Sequence, residues 1–429
     1  MRLAWAEPSE GDGLMAERRI TWDFEGGRLA AARELAPDHW ECAVAGDSDA
    51  QGRNRSAIWF ACELHGMAGR VVTIDLVGLH GEWNLRPSMA WGPETRPVVA
   101  PGPATVPAAE RPWRRLAADE VSWDGTPGAE RLRLRFTVPS PEARGAGGSG
   151  VATLAYIEPY TFADHRRFVA AVVARHPGVV RHRVLGRSPE GRPIDLLEIG
   201  DQAGSSGRAI WVIFRQHPWE TYSSYAAEGL VERLLADRAA RLAFRWQVAP
   251  MVNVDGCARG STRHNTLGKD PNREWNQSEP TPEVACLRQA ILDELGGRPA
   301  FFLDVHNNNQ QTGDYMALTN LSFGATPEAG EACLERYEAL VRQIASGLAQ
   351  RSHFSGTVRA VARPAPWGSP GPLDTGRRAG KPFAFPCVLL EMRTGPLPTR
   401  GGAYGAIDDQ RRLGAALVES IIGALERDR

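Results

Sequence analysis

Near residue 158 the hydrophobic texture of this sequence changes, and the change limits the architectures open to it. Upstream, short alternating or apolar runs (Ile20–Phe24, Ala57–Cys62, Val71–Val77, Arg131–Val138) are divided by Gly, Pro and Asp, the pattern of an antiparallel sandwich. Downstream, apolar runs of strand length at Asp195–Ile199, Ala209–Phe214, Arg245–Val252, Phe301–Val305 and Cys387–Leu390 alternate with helical periodicities at Thr221–Leu235, Thr281–Leu295, Pro327–Leu348 and Asp409–Leu425. That alternation predicts an α/β domain with a mixed, largely parallel sheet flanked by helices. The expected organisation is an antiparallel β-sandwich domain over 1–158 followed by an α/β domain over 159–429, and 429 residues are enough for both cores.

Local signals sharpen the boundaries. Thr161, with Asp164 three residues on, is placed to cap a helix that runs to His176 and stops at Pro177. The Pro-rich stretch Pro97–Pro107 reads as a surface connection and Glu142–Gly150 as a flexible hairpin loop. Gly145, Gly147 and Gly150 match the spacing of a dinucleotide-binding loop, but the residues that follow, Val151–Ile157, have a strand pattern where that site needs a helix.

Composition excludes several partners. Fifty basic against fifty-one acidic side chains leave a formal charge of −1, with no electrostatic footprint for nucleic acid or an anionic membrane. The longest strongly apolar runs, such as Ala209–Phe214 and Phe168–Ala174, fall far short of the roughly 20 residues of a membrane helix. The N-terminus turns acidic and Gly-rich before an apolar segment of signal-peptide length can form, so a cytoplasmic protein is expected. The six cysteines are widely spread with no Cys-x-x-Cys pair, which fits reduced residues better than a disulfide framework or a thiolate metal site.

In an open α/β sheet, ligands bind beyond the carboxyl ends of the strands. Ala209–Phe214 leads to His217-Pro218-Trp219-Glu220, Arg245–Val252 to Asn253, Asp255 and an Arg-rich loop, Phe301–Val305 to His306, and Cys387–Leu390 to Glu391. Ten His and fifty-one acids make about one His-x-x-acid match expected by chance, so the motif alone carries little. Its position after a strand, with a second His and another Glu also at strand ends, gives it weight. Two His and one carboxylate form a catalytic zinc set with a position left open for water. The plainer readings are a loop imidazole for His217, a helix N-terminal acid for Glu220 and a surface pair with Arg393 for Glu391.

These residues resemble the zinc metallocarboxypeptidases of the M14 type, most closely their cytosolic carboxypeptidase branch. His217-Pro-Trp-Glu220 is similar to that branch's His-Pro-Gly-Glu, and Asp304-Val-His306 to its Asp-Leu-His. The resemblance implies one zinc per chain held by His217, Glu220 and His306, the ligand set for which carboxypeptidase A is the standard example. Asn253-Val-Asp-Gly256 is similar to Asn-Pro-Asp-Gly, and Arg263 lies where the branch places the arginine that polarises the scissile carbonyl. Asp270-Pro-Asn272-Arg273 resembles a segment whose Asn and Arg hold the substrate's C-terminal carboxylate and whose Asp steadies the first zinc His. Glu391 falls at the general base. Arg377, in Asp374-Thr-Gly-Arg377-Arg378, falls among pocket residues and is a candidate for selecting acidic C-terminal side chains. Ile157-Glu-Pro-Tyr-Thr161 and Leu185-Gly-Arg-Ser188 resemble the branch's domain junction, so the resemblance covers nearly the whole chain, loosely before residue 155 and specifically at five motifs after it.

The sequence departs from the pattern at Trp219, which replaces a glycine and is expected to narrow the pocket beside the metal, and at Val254 and Pro271. The tyrosine that classical members place shortly before the base is also missing, since none lies between Tyr337 and Tyr404. The implied activity is zinc-dependent removal of C-terminal residues from peptides or proteins. Glu391 would act as the proton carrier, Arg263 as the oxyanion partner, Asn272 and Arg273 as the carboxylate grip, and Asp270 as the acceptor behind His217. Two other readings stay open: a zinc deacylase or amidase on small N-acyl amino acids, and a catalytically inactive binding module. Oligomeric state is not legible in the sequence.

Overall fold

The structure is a computed structural model that describes residues 17–48, 51–52, 56–81, 90–140, 150–200, 208–275, 277–294, 299–308, 313–318, 327–360 and 387–427. Ten strands come first: β1 (Arg19–Thr21), β2 (Ala31–Ala36), β3 (His39–Ala43), β4 (Ala61–His65), β5 (Val71–Val77), β6 (Val98–Pro101), β7 (Arg114–Arg115), β8 (Val121–Asp124), β9 (Arg131–Thr137) and β10 (Val151–Ala155). They form two five-stranded sheets, ordered β1-β4-β10-β6-β7 and β2-β3-β5-β9-β8. The second is not wholly antiparallel as expected, because β3 and β5 pair in parallel. Alternation drives these strands: in Arg131–Thr137 the residues Leu132, Leu134 and Phe136 are buried while Arg133 and Arg135 face out.

Two expectations for this region fail or fall away. Pro97–Pro107 is a surface connection only in its second half, for β6 lies within the first half between β10 and β7, with Val98, Val99 and Ala100 fully buried. Its prolines bracket the strand, Pro101 at the very end of the ladder, where a missing N–H is tolerated. The Glu142–Gly150 loop lies outside the described residues except for Gly150, and the segment that follows it is strand β10, not a nucleotide-binding helix.

The rest of the chain alternates strands and helices. The strands are β11 (Val180–Arg187), β12 (Pro193–Ile199), β13 (Ala209–Phe214), β14 (Arg245–Ala249), β15 (Pro299–Asn308), β16 (Tyr315–Leu318), β17 (Thr357–Ala360) and β18 (Cys387–Arg393). The helices are α1 (Phe162–Arg175), α2 (Thr221–Ala236), α3 (Arg238–Ala243), α4 (Val254–Arg259), α5 (Pro282–Glu294), α6 (Pro327–Arg351) and α7 (Ile407–Arg427). One eight-stranded sheet runs β11-β12-β14-β13-β15-β18-β16-β17. Its centre, β14-β13-β15-β18, is parallel, and antiparallel pairs flank it. Central strands buried on both faces read as continuous apolar runs, as Ala209–Phe214 does.

Helix α1 starts where the sequence places it: Thr161 Oγ1 accepts from the Asp164 N–H at 3.1 Å, and the Asp164 carboxylate accepts the Thr161 N–H at 2.8 Å. Helices α2 and α7 cross closely at two glycines. A Cβ on Gly414 would stand 1.9 Å from the Ala226 carbonyl oxygen, and one on Gly229 2.0 Å from that of Arg411. No described helix is long and apolar enough to cross a membrane.

Candidate metal and catalytic site

The sequence puts the ends of two strands too early. Strand β15 runs past Val305 to Asn308 and β18 past Leu390 to Arg393, so His306 and Glu391 lie within the sheet. They are register partners in the parallel ladder, side by side on one face. Tyr315 on β16 stands opposite Glu391 from the other side. His217 and Glu220 come from the loop between β13 and α2, where Arg215 turns the chain through a left-handed conformation (φ 61°) and Glu220 opens the helix.

The three ligand candidates meet. His217, Glu220 and His306 have potential ligand atoms within 4.8 Å of one another, and all three are buried. His217 Nδ1 lies 2.7 Å from one oxygen of Glu220, and His306 Nδ1 lies 2.9 Å from the other. Each ring's far nitrogen has a carboxylate of its own: His217 Nε2 is 3.2 Å from Asp270 Oδ1, and His306 Nε2 is 3.0 Å from Asp304 Oδ2. With each Nε2 donating outward, each Nδ1 turns a lone pair toward an oxygen of Glu220. Three electron-rich atoms facing inward in a buried space repel one another unless a cation sits among them, so the donor set fits a zinc ion.

The carboxyl groups around the cluster shift in different directions. Burial works to raise the Glu220 carboxyl, but the His306 and His217 imidazoles overcome it and bring it down to about 2. The Asp270 carboxyl is likewise held well below its ordinary value, with Arg263 and His217 outweighing burial. Glu391 goes the other way. Burial pushes its carboxyl up to about 8, with Glu220 and Asp304 adding to the rise and His306 and Arg263 opposing it.

The remaining predicted residues surround this cluster. Arg263 donates from Nε to Asp270 Oδ2 at 2.6 Å, so the same carboxylate reaches both the arginine and the back of His217. Asn272 is buried, and its side-chain nitrogen is 3.5 Å from His306 Nε2. Arg273 follows it in the same short turn and is partly exposed. Asn253 caps α4 by accepting the Gly256 N–H at 3.0 Å, and a Cβ on Gly256 would stand 2.5 Å from a ring carbon of Pro218, so only glycine lets α4 approach the metal loop. Asp255 accepts from Ser188 Oγ at 2.6 Å, joining two of the sequence motifs. Arg377 lies outside the described residues.

Sequence reasoning missed Gln216 and the role of Asp304. Gln216 Nε2 donates to Asp304 Oδ2 at 2.6 Å and to Asn272 Oδ1 at 3.2 Å, and its own oxygen accepts from Trp275 Nε1 at 2.9 Å. The signal for Asp304 was present: two residues before His306 on a strand places it on the same face. For Trp219, expected to narrow the pocket beside the metal, the structure shows where its ring packs. It is 5% exposed and packs edge-on against Tyr156, at the end of β10, with ring centroids 6.1 Å apart.

Several known proteins are similar to this chain. Residues 165–310 match the zinc carboxypeptidase family. An uncharacterized protein of Zymomonas mobilis is 32% identical over 204 residues, 45% of this chain and 49% of that protein. Mouse cytosolic carboxypeptidase 6 is 27% identical over 175 residues, 38% of this chain and 32% of the relative. The chain thus spans about half or less of the length of these relatives. A solved metallo-carboxypeptidase from Burkholderia cenocepacia shares the fold, with a TM-score of 0.73 at 22% identity over 96% of this chain and 99% of that one. Residues 165–310 of this chain are thus similar to the zinc carboxypeptidase family, and cytosolic carboxypeptidases are among its relatives.

Proposed function

We propose that this protein is a zinc-dependent carboxypeptidase that binds one zinc ion per chain and releases the C-terminal residue of peptides or proteins. The observation that carries the proposal is the meeting of His217, Glu220 and His306 within 4.8 Å, with Glu391 in register beside His306. The domain division at 158/159 and a cytoplasmic location belong to the same reading, the latter following the compartment in the relatives' names.

His217, Glu220 and His306 would hold the zinc. When bound, the ion supplies Lewis acidity, polarising a carbonyl and lowering the pKa of water toward 7. Glu391 takes the proton of the attacking water as its oxygen bonds to the scissile carbonyl carbon, then gives that proton to the amide nitrogen as the C–N bond breaks. A free amino acid and a peptide one residue shorter result. Arg263 faces the negative charge that grows on the carbonyl oxygen. Asp270 and Asp304 fix the imidazole orientations from behind. The planar guanidinium of Arg273, with Asn272, holds the free C-terminal carboxylate, which makes the reaction an exopeptidase one.

Arg377 and a preference for acidic C-terminal side chains remain part of the proposal, supported by the family resemblance. The test is release from matched peptides ending in Glu, Leu or Phe, each as the free acid and as the C-terminal amide. The proposal expects hydrolysis of the acids only, with Glu released fastest. Cleavage of the amides at equal rates would refute the carboxylate grip, and faster release of Leu or Phe would refute the acidic preference. Turnover of N-acyl amino acids without peptide cleavage would favour a deacylase.

A further inference from the structure

Trp219 stands between two of the metal-ligand candidates in sequence, and its indole packs against Tyr156. It ends a column of rings that runs into the N-terminal sheets: Trp219 against Tyr156 (6.1 Å), Tyr156 against Trp91 (5.2 Å) and Trp91 against Phe60 (6.2 Å). All four rings are buried. The column is fixed by Tyr156 Oη donating to the Ala90 carbonyl at 2.9 Å and by Trp91 Nε1 donating to the Ala57 carbonyl at 2.6 Å.

A second contact runs beside it. The Trp219 N–H donates to the Thr262 carbonyl at 3.1 Å, and the Thr262 hydroxyl accepts the N–H groups of Ile58 and Trp59 at 3.4 and 3.2 Å. One residue further, Asp47 Oδ2 accepts the N–H of Arg263 at 2.6 Å and that of His264 at 3.0 Å. Asp47 is 5% exposed and 216 residues away in sequence. The loop with His217 and Glu220 and the loop with Arg263 are therefore tied to each other and, separately, to the segments that flank the N-terminal strands.

We propose that the N-terminal sheets are a working part of the catalytic site, with Trp219 and Asp47 as positioning residues: Trp219 holds the His217–Glu220 loop through the aromatic column, and Asp47 holds Arg263 through its backbone. A metal loop without this anchor has more conformations to lose on binding the ion, and a shifted Arg263 misses the carbonyl oxygen by a distance that costs rate. The inference rests on the metal and catalytic roles proposed above. It assigns the N-terminal region a function that the matched family segment, residues 165–310, does not contain.

The test uses the full chain. Zinc affinity is measured by competition with a chromogenic chelator, and ligand geometry by the absorption spectrum of the cobalt-substituted protein, so this arm needs no peptide turnover. Trp219→Gly, which puts back the glycine of the resembled motif, is expected to lower zinc affinity about 10-fold or more and alter the cobalt spectrum. Trp219→Phe, which keeps a ring on Tyr156, should recover most of the affinity. If the glycine variant fails to fold, Trp91→Leu, two rings away from the loop, should lower zinc affinity several-fold. Asp47→Ala should lose about 10-fold or more in kcat, with Asp47→Asn restoring most of it through its remaining oxygen. Unchanged zinc affinity and cobalt spectrum in a folded Trp219→Gly or Trp91→Leu protein would overturn the role of Trp219, and unchanged kcat in Asp47→Ala that of Asp47. A wild-type protein that binds zinc but cleaves no peptide would defeat the proposed function and leave the zinc-affinity arm decisive for the column.

Discussion

Replacing Arg215 should unsettle the loop that carries His217 and Glu220 more than a buried surface-type residue would lead one to expect. Arg215 is 2% exposed and has a φ of 61°, a conformation that disfavours side chains with a Cβ by about 1–2 kcal/mol. Its guanidinium donates to the Pro218 carbonyl from Nε (2.9 Å) and Nη2 (2.6 Å), to the Tyr160 carbonyl (3.1 Å) and to Ser224 Oγ (2.8 Å). None of these partners is a carboxylate, so the fork holds three neutral acceptors from the metal loop, the domain junction and α2. A hydrogen bond from a charged donor contributes about 1.5–3 kcal/mol, which gives three acceptors about 4.5–9 kcal/mol before the cost of burying the cation. That desolvation offsets several kcal/mol, leaving a net loss of about 3 kcal/mol for Arg215→Met, which keeps the apolar stem. Arg215→Lys keeps the charge but not the planar fork and should be no better than methionine. Equilibrium denaturation in guanidinium chloride measures both. A lysine variant within about 1 kcal/mol of wild type would refute the fork argument, showing that charge alone is what the site requires.

Other consequences follow from the same geometry. Asp270→Asn and Asp304→Asn should each weaken zinc binding about 10–100-fold by loosening one imidazole, read by chelator competition, and an unchanged affinity would remove that carboxylate from the account. Gly414→Ala should destabilise by about 2 kcal/mol or more even though alanine is the better helix former by about 1 kcal/mol, because its Cβ would meet the Ala226 carbonyl oxygen at 1.9 Å. A gain in denaturation midpoint would refute it. Acid should lower stability through the buried group of Asp195 with His165, His182 and Arg166. Burial works to raise the Asp195 carboxyl, but hydrogen bonds and charge from His165, His182 and Arg166 hold it below its ordinary value, while burial lowers the His165 imidazole. Each pKa is lower folded than unfolded, so the unfolded chain binds more protons; the imidazole's share is lost as pH falls below about 6.5 and the carboxylate's only below about 4. Denaturation midpoints at pH 7.5 and 5 should fall in that order, with His165→Gln flattening the change, since Asp195 itself works to raise that imidazole, and the reverse order would contradict the linkage.

The parts legible in the sequence are those set by local pattern. Helix α1 begins at the Thr161–Asp164 capping pair because a cap is a contact between near neighbours. The parallel strands were visible as apolar runs, and His217, His306 and Glu391 because polar residues at the ends of such runs are unusual. Strand ends were misplaced for a physical reason: His306 and Glu391 continue the ladder, since a site face of a sheet carries polar side chains without ending the strand. Pro97–Pro107 misled because proline content speaks for turns, while Val98–Ala100 between the prolines is buried in a sheet that only distant strands β10 and β7 complete. Trp219 packs against an equally distant part of the sequence. Its neighbours His217 and Glu220 face the metal cluster, but its ring partner Tyr156 lies 63 residues upstream and no local pattern announces it.

The central claim is that Glu391 moves the proton at a zinc site built by His217, Glu220 and His306. The most direct measurement pairs zinc content with release of a C-terminal residue from a mixed peptide pool, comparing the wild-type chain with Glu391→Gln. One zinc per chain in both proteins, with release in the variant down about 100-fold or more, is the result this account predicts. Undiminished release by Glu391→Gln, or a wild-type chain that takes up no zinc, would contradict it.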